Sequence, residues 1–143
     1  MRITANVLRI LVSAIGAIMI ALGLLFWTGN AFALLPLHML LGVALVLMLW
    51  IIAVMALVAR ANPTLALIAV VWGFIVPILG ITQFQLLPGS LHWIIQALHL
   101  LVGLTAIALA NILARQIAQA SAMRHAPVRR ARRVRATKAS ATL

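Results

Sequence analysis

Residues 34–59 read LLPLHMLLGVALVLMLWIIAVMALVA, a run of 26 residues with no formal charge and one histidine, His38. About 20 apolar residues in helical form cross a bilayer core of roughly 30 Å, so the run is long enough to span a membrane. Backbone polar groups find no water in lipid, so such a span must be a helix. An ionisable side chain inside a span is costly and marks function by default. Working outward, three more apolar runs follow the same rule, at residues 10–27, 64–86 and 91–116. The breaks between them are Thr28-Gly29-Asn30, Arg60-Ala61-Asn62-Pro63 and Pro88-Gly89-Ser90. Ser90 is placed to cap a helix N-terminus and Pro63 to occupy a first turn. The expected fold is therefore an all-α integral membrane protein, an up-and-down bundle of four transmembrane helices over residues 1–120 with a basic tail at 121–143.

Composition supports this and narrows the chemistry. The chain is 66% apolar and only 8% charged, where soluble domains carry about 25% charged residues. It has no Asp, Glu, Tyr or Cys. That excludes disulfides, thiolate metal sites, carboxylate-bridged metals, acidic proton relays and paired-carboxylate catalysis, and with them most enzyme mechanisms.

All 11 Lys and Arg residues fall on one side of a four-span arrangement: Arg2, Arg9, Arg60, Arg115, Arg124 and the cluster from Arg129 to Lys138. The opposite loops, 28–33 and 87–90, carry none. The positive-inside rule places both termini in the cytoplasm, in a bacterial inner membrane. Arg2, Arg9, an apolar run and Ala31-Phe32-Ala33 also resemble a secretory leader, but the run is long for one. The tail from Ser121 is rich in Arg, Ala, Ser and Thr; it reads as disordered or loosely helical, held to anionic lipid headgroups. An acidic protein is a second candidate partner. Nucleic acid fits poorly, since no aromatic residue is interleaved with the charges.

Two phrases echo each other: Leu37-His38-Met39-Leu40-Leu41-Gly42 and Leu98-His99-Leu100-Leu101-Val102-Gly103. Gly16 and Gly23 in the first run match Gly73 and Gly80 in the third at the same spacing. The pattern suggests two tandem helical hairpins related by an axis along the membrane normal, although the second half has four more residues between Gly80 and its histidine. The second and fourth helices of such a bundle run parallel and face each other diagonally across the core, at a width that suits a flat macrocycle with an imidazole on each face. Neutral imidazole is an axial ligand of haem iron.

His38 and His99 are the expected ligands. The repeated phrase favours His99 as the partner of His38, whereas depth counted from the inner arginines favours His92, two turns away on the same face. With His99 as ligand, His92 lies nearer the outer surface and can donate to a carboxylate of the ring. Gly42 and Gly103, one turn below the histidines, would admit the ring edge, and Gly23 and Gly80 its faces. Glycine in membrane helices also serves plain helix packing. Thr28, Asn30, Thr82, Gln83, Gln85, Ser90, His92 and Gln96 gather in the outer third, so the polar edge of a cofactor belongs there. No outer Lys or Arg is available to neutralise it.

On His38, His99, these glycines and the topology, the chain resembles the small four-helix membrane cytochromes b, the bacterial cytochrome b561 and superoxide oxidase group. The resemblance implies haem b, electron transfer, and a quinone or protein redox partner. Members usually hold two haems, with histidines near both faces; this sequence offers ligands near one face only, enough for one haem. Two other readings come from the residues. One is a structural or assembly subunit of a larger membrane complex. The other is a pigment-binding subunit in which a histidine ligates bacteriochlorophyll.

Overall fold

The computed structural model describes the backbone of residues 2–140 and the side chains of residues 3–123. It is an all-α bundle of four helices: α1, Arg2–Trp27; α2, Leu35–Val58; α3, Pro63–Thr82; and α4, His92–Ser140. Single 3₁₀ turns, Phe32–Leu34 and Gln83–Gln85, precede α2 and follow α3. All four helices are long and apolar enough to cross a membrane, and no strand occurs among the described residues.

Helix boundaries depart from the sequence reading in four places. α1 starts at Arg2 rather than near residue 10, because Ala5 and Val12 are fully buried and Leu8 packs beside them, which holds the first turns on the core. α3 stops at Thr82, with Gln83–Gln85 tightened into a 3₁₀ turn. α4 starts at His92, so Ser90 lies in the preceding turn and does not cap it; the His92 amide bonds the Gly89 carbonyl at 3.1 Å. α4 continues to Ser140. The basic side chains beyond Met123, and the lipid contact expected of them, lie outside the described residues.

The connections follow local chemistry. Gly29 takes φ 80° after α1, and the Asn30 amide reaches back to the Leu25 carbonyl at 3.0 Å. This left-handed closure of a helix favours glycine. The α2–α3 turn uses the same geometry without glycine: Arg60 has φ 51°, and the Ala61 amide bonds the Ala56 carbonyl at 3.0 Å. Asn62 caps α3, accepting from the Leu65 amide at 3.0 Å, and Pro63 opens the first turn.

Helices α1 and α4 pack most extensively, as do α2 and α3; α1–α2 and α3–α4 are lesser contacts of similar extent. The pairing is what two equivalent hairpins would give. The α2–α4 diagonal is narrower than the sequence reading assumed, for the two helices pack directly on each other. Small residues allow this: Ala53 and Ala56 on α2, and Ala106, Ala110 and Ala114 on α4, are fully buried.

The two ends of the bundle differ. Toward the end that carries Arg9, Arg60 and Arg115, the core is solid around Leu49, Ile52, Leu113 and Ile117. Two indoles tie helices together by donating to backbone carbonyls: Trp50 to Val70 at 3.1 Å, and Trp72 to Val102 at 2.9 Å. Toward the other, uncharged end the packing opens into a cavity.

Candidate functional site: a histidine pair in the bundle

The cavity holds about 320 Å³ and lies between α1, α2, α4 and the two 3₁₀ turns. That is near the lower bound for small-molecule sites, about 300–1,000 Å³. Its walls are mostly apolar. Met19, Leu45, Leu104 and Ile107 line one end, and Gln83, His92 and Gln96 lie among the residues of the other, with His38 and His99 between.

His38 and His99 face each other. Their ring centroids are 6.4 Å apart, with planes at 47°. Direct imidazole hydrogen bonding would bring two nitrogens to about 2.9 Å, and no such bond joins them. Nδ1 of each ring is buried without a hydrogen-bond partner. An orphaned buried polar atom costs about 1–3 kcal/mol, so two on facing rings call for an explanation. The separation offers one. Were the two Nδ1 atoms to point at one metal, bonds of about 2 Å and roughly 1 Å from each nitrogen to its ring centre would put the centroids about 6 Å apart.

Two imidazoles cannot by themselves hold a bare metal ion, which needs about four ligands. Among the described residues no group of three or more His, Cys, Asp or Glu is placed to supply them. The missing donors would have to come with the metal, as they do in a metallated tetrapyrrole.

The glycines divide. Gly23 lies against His38, where an added Cβ would stand 4.0 Å from Cε1. Gly80 lies against His99 in the same way, at 3.3 Å. The two hairpins thus repeat one contact, a helix glycine beside a histidine ring. Gly103 lines the cavity, and an added Cβ there meets nothing within 4 Å. Gly42 does not line it; the Met19 methyl group occupies the space above it, 3.3 Å from an added Cβ. Met19 comes from α1, so the second gap of the repeat is filled.

His92 lines the cavity but does not face His38. Its Nδ1 lies 3.3 Å from the Leu86 carbonyl and its ring stacks on Phe84, with centroids 6.3 Å apart and planes at 20°. Gln96 lines the wall one turn further along α4. The sequence reading missed Phe26, whose ring meets His38 edge-on at 5.3 Å. It also did not single out Phe84, and it placed Gln83 only among the polar residues of that end; the 3₁₀ turn after α3 brings both to the cavity. The polarity of Gln83 was visible, but the placement of both follows from the 83–91 connection, where Leu87 and Gly89 take positive φ.

The site thus brings together two facing imidazoles with centroids 6.4 Å apart, a cavity beside them and a glycine against each ring. No protein-family model, no curated protein and no solved structure matches the chain.

Proposed function

We propose that the chain is a membrane cytochrome of the b type, holding one haem between His38 and His99 near the uncharged end of the bundle and passing single electrons. The observation that carries this reading is the pair of facing imidazoles, centroids 6.4 Å apart, each with a buried Nδ1 that has no hydrogen-bond partner. Haem iron, when bound, supplies a one-electron ferric–ferrous couple. His38 and His99 would both hold the iron and leave it no open coordination site, which favours electron transfer over chemistry at the metal. The apolar residues Met19, Leu45, Leu104 and Ile107 would limit water around the iron and so bear on its potential. A donor or acceptor, a quinol or a protein, would exchange electrons at the uncharged end. The paired histidines also favour six-coordinate iron over bacteriochlorophyll, which needs one axial ligand.

The charge asymmetry supports a bacterial inner membrane with both termini in the cytoplasm, where the basic tail meets anionic lipid. The cavity then lies toward the outer face. The test is an absorption spectrum of the protein purified after expression with ample haem. A Soret band with sharp reduced α and β bands is expected, and His38→Ala and His99→Ala should each abolish the low-spin spectrum. A colourless wild-type protein, or full retention of that spectrum in either variant, overturns the assignment.

A further inference from the structure

The cavity is amphipathic along the bundle axis, and the polarity is confined to one hairpin. Gln83, His92 and Gln96 line its uncharged end. The position seven residues before His99 is His92, but seven before His38 is Ala31; three before His99 is Gln96, but three before His38 is Leu35. The pseudo-symmetry that places the two axial imidazoles is therefore broken at the polar end.

The hydrogen-bonding state of His92 follows from its neighbours. A carbonyl oxygen only accepts, so Nδ1 carries a proton and donates to Leu86, which leaves Nε2 for a ligand. Phe84 stacked on the ring holds its plane. Gln96, one turn along α4, falls on the same helix face, and Gln83 comes from the facing 3₁₀ turn. Both amides can donate. The start of α4 is at this end, and its dipole favours negative charge there. No Lys or Arg occurs anywhere between Arg9 and Arg60, or between Arg60 and Arg115. Carboxyl groups at this end would thus meet amides and one imidazole, with no arginine or lysine.

We infer that Gln83, His92 and Gln96 bind the carboxyl edge of the tetrapyrrole, so that the site selects a ring with free acids and takes it in one orientation, acids toward the uncharged end. Nε2 of His92 pairs with a carboxyl group either way round, with the proton on the ring against a carboxylate or on the acid against a neutral ring. The methyl- and vinyl-bearing edge then faces Met19, Leu104 and Ile107. The inference rests on the bis-histidine reading.

The experiment uses the full-length protein, freed of haem in detergent and titrated with haemin or with haemin dimethyl ester. Both compounds keep the iron and the ring; only the acids differ. Each should give the low-spin bis-histidine spectrum. The free acid should leave for apomyoglobin about tenfold more slowly, the loss expected for a hydrogen bond to a charged group. His92→Leu and Gln96→Leu should each bring the free acid toward the rate of the ester while leaving the spectrum unchanged. Equal rates for acid and ester in the wild-type protein overturn the carboxyl site and leave the axial pair standing. The same holds if both variants keep the wild-type preference. Failure of both compounds to give a low-spin spectrum overturns the axial pair and the carboxyl site with it.

Discussion

At the scale of single residues, the glycines separate packing from binding. An added Cβ at Gly73 would overlap the Trp50 indole. That indole cannot easily yield, since it donates to the Val70 carbonyl and packs on Phe74 with centroids 4.8 Å apart. Gly73→Ala should therefore cost about 1–3 kcal/mol, the range for overpacking a filled core, measured as unfolding in mixed micelles. Gly103 makes the opposite case, because nothing stands within 4 Å of an added Cβ. Gly103→Ala should therefore cost nothing and should raise stability by up to about 1 kcal/mol, since glycine inside a helix is less favourable than alanine. Gly103→Phe should fill the cavity and block haem uptake with no loss of stability, read as absence of a Soret band in a protein that unfolds like the wild type. These contrasts were only partly legible in the sequence. The repeated phrase marks His38 and His99 because a histidine at a fixed distance from glycine survives inside otherwise featureless apolar runs. It could not show that Met19 from α1 fills the gap at Gly42, because an unbranched side chain can fill gaps of many shapes.

Among the elements, α3 and its two ends show what local sequence can and cannot specify. The start is written in Asn62-Pro63: the side chain caps Leu65 and the ring fixes the first turn. Asn62→Ala should cost about 1 kcal/mol of stability by the same unfolding measurement. The turn before it holds Arg60 at φ 51°, a conformation that disfavours a side chain. Arg60→Gly should relieve that strain and raise stability by roughly 0.5–1 kcal/mol. The end of α3 is not written in the same way. Thr82 turns its hydroxyl back to the Ile78 carbonyl at 2.8 Å, and the next residues tighten into a 3₁₀ turn. That turn brings Gln83 to the cavity and starts α4 two residues beyond Ser90. A hydropathy pattern sees the apolar run 64–86 as one helix, because Phe84 and Leu86 continue it in composition though not in backbone.

Over the whole molecule, charge and packing are arranged along one axis. The four-span order puts Arg9, Arg60 and Arg115 at one end, where the core is solid, and the cavity at the other, where the connections carry no charge. The side of the membrane on which the site opens therefore follows from which way the charges point. An arginine resists transfer through the bilayer centre, whereas the loops 28–33 and 87–90 can cross with little penalty. The chain has no native cysteine, so single cysteines report position without background. Asn30→Cys and Ser90→Cys lie in the two uncharged connections, and Thr64→Cys lies at the start of α3 beside Arg60; all three positions are exposed. In intact spheroplasts a membrane-impermeant maleimide should label the first two and reach Thr64→Cys only after permeabilisation. The reverse pattern would put the cavity on the cytoplasmic side. Adding Arg at 29 and 89 while replacing Arg9 and Arg60 by Gln should weaken the bias enough to give a mixed population, with all three cysteines partly labelled. If labelling of the altered chain stays as in the parent, the four remaining features of the basic side — Arg2, Arg115, Arg124 and the tail cluster — are enough to hold the orientation by themselves.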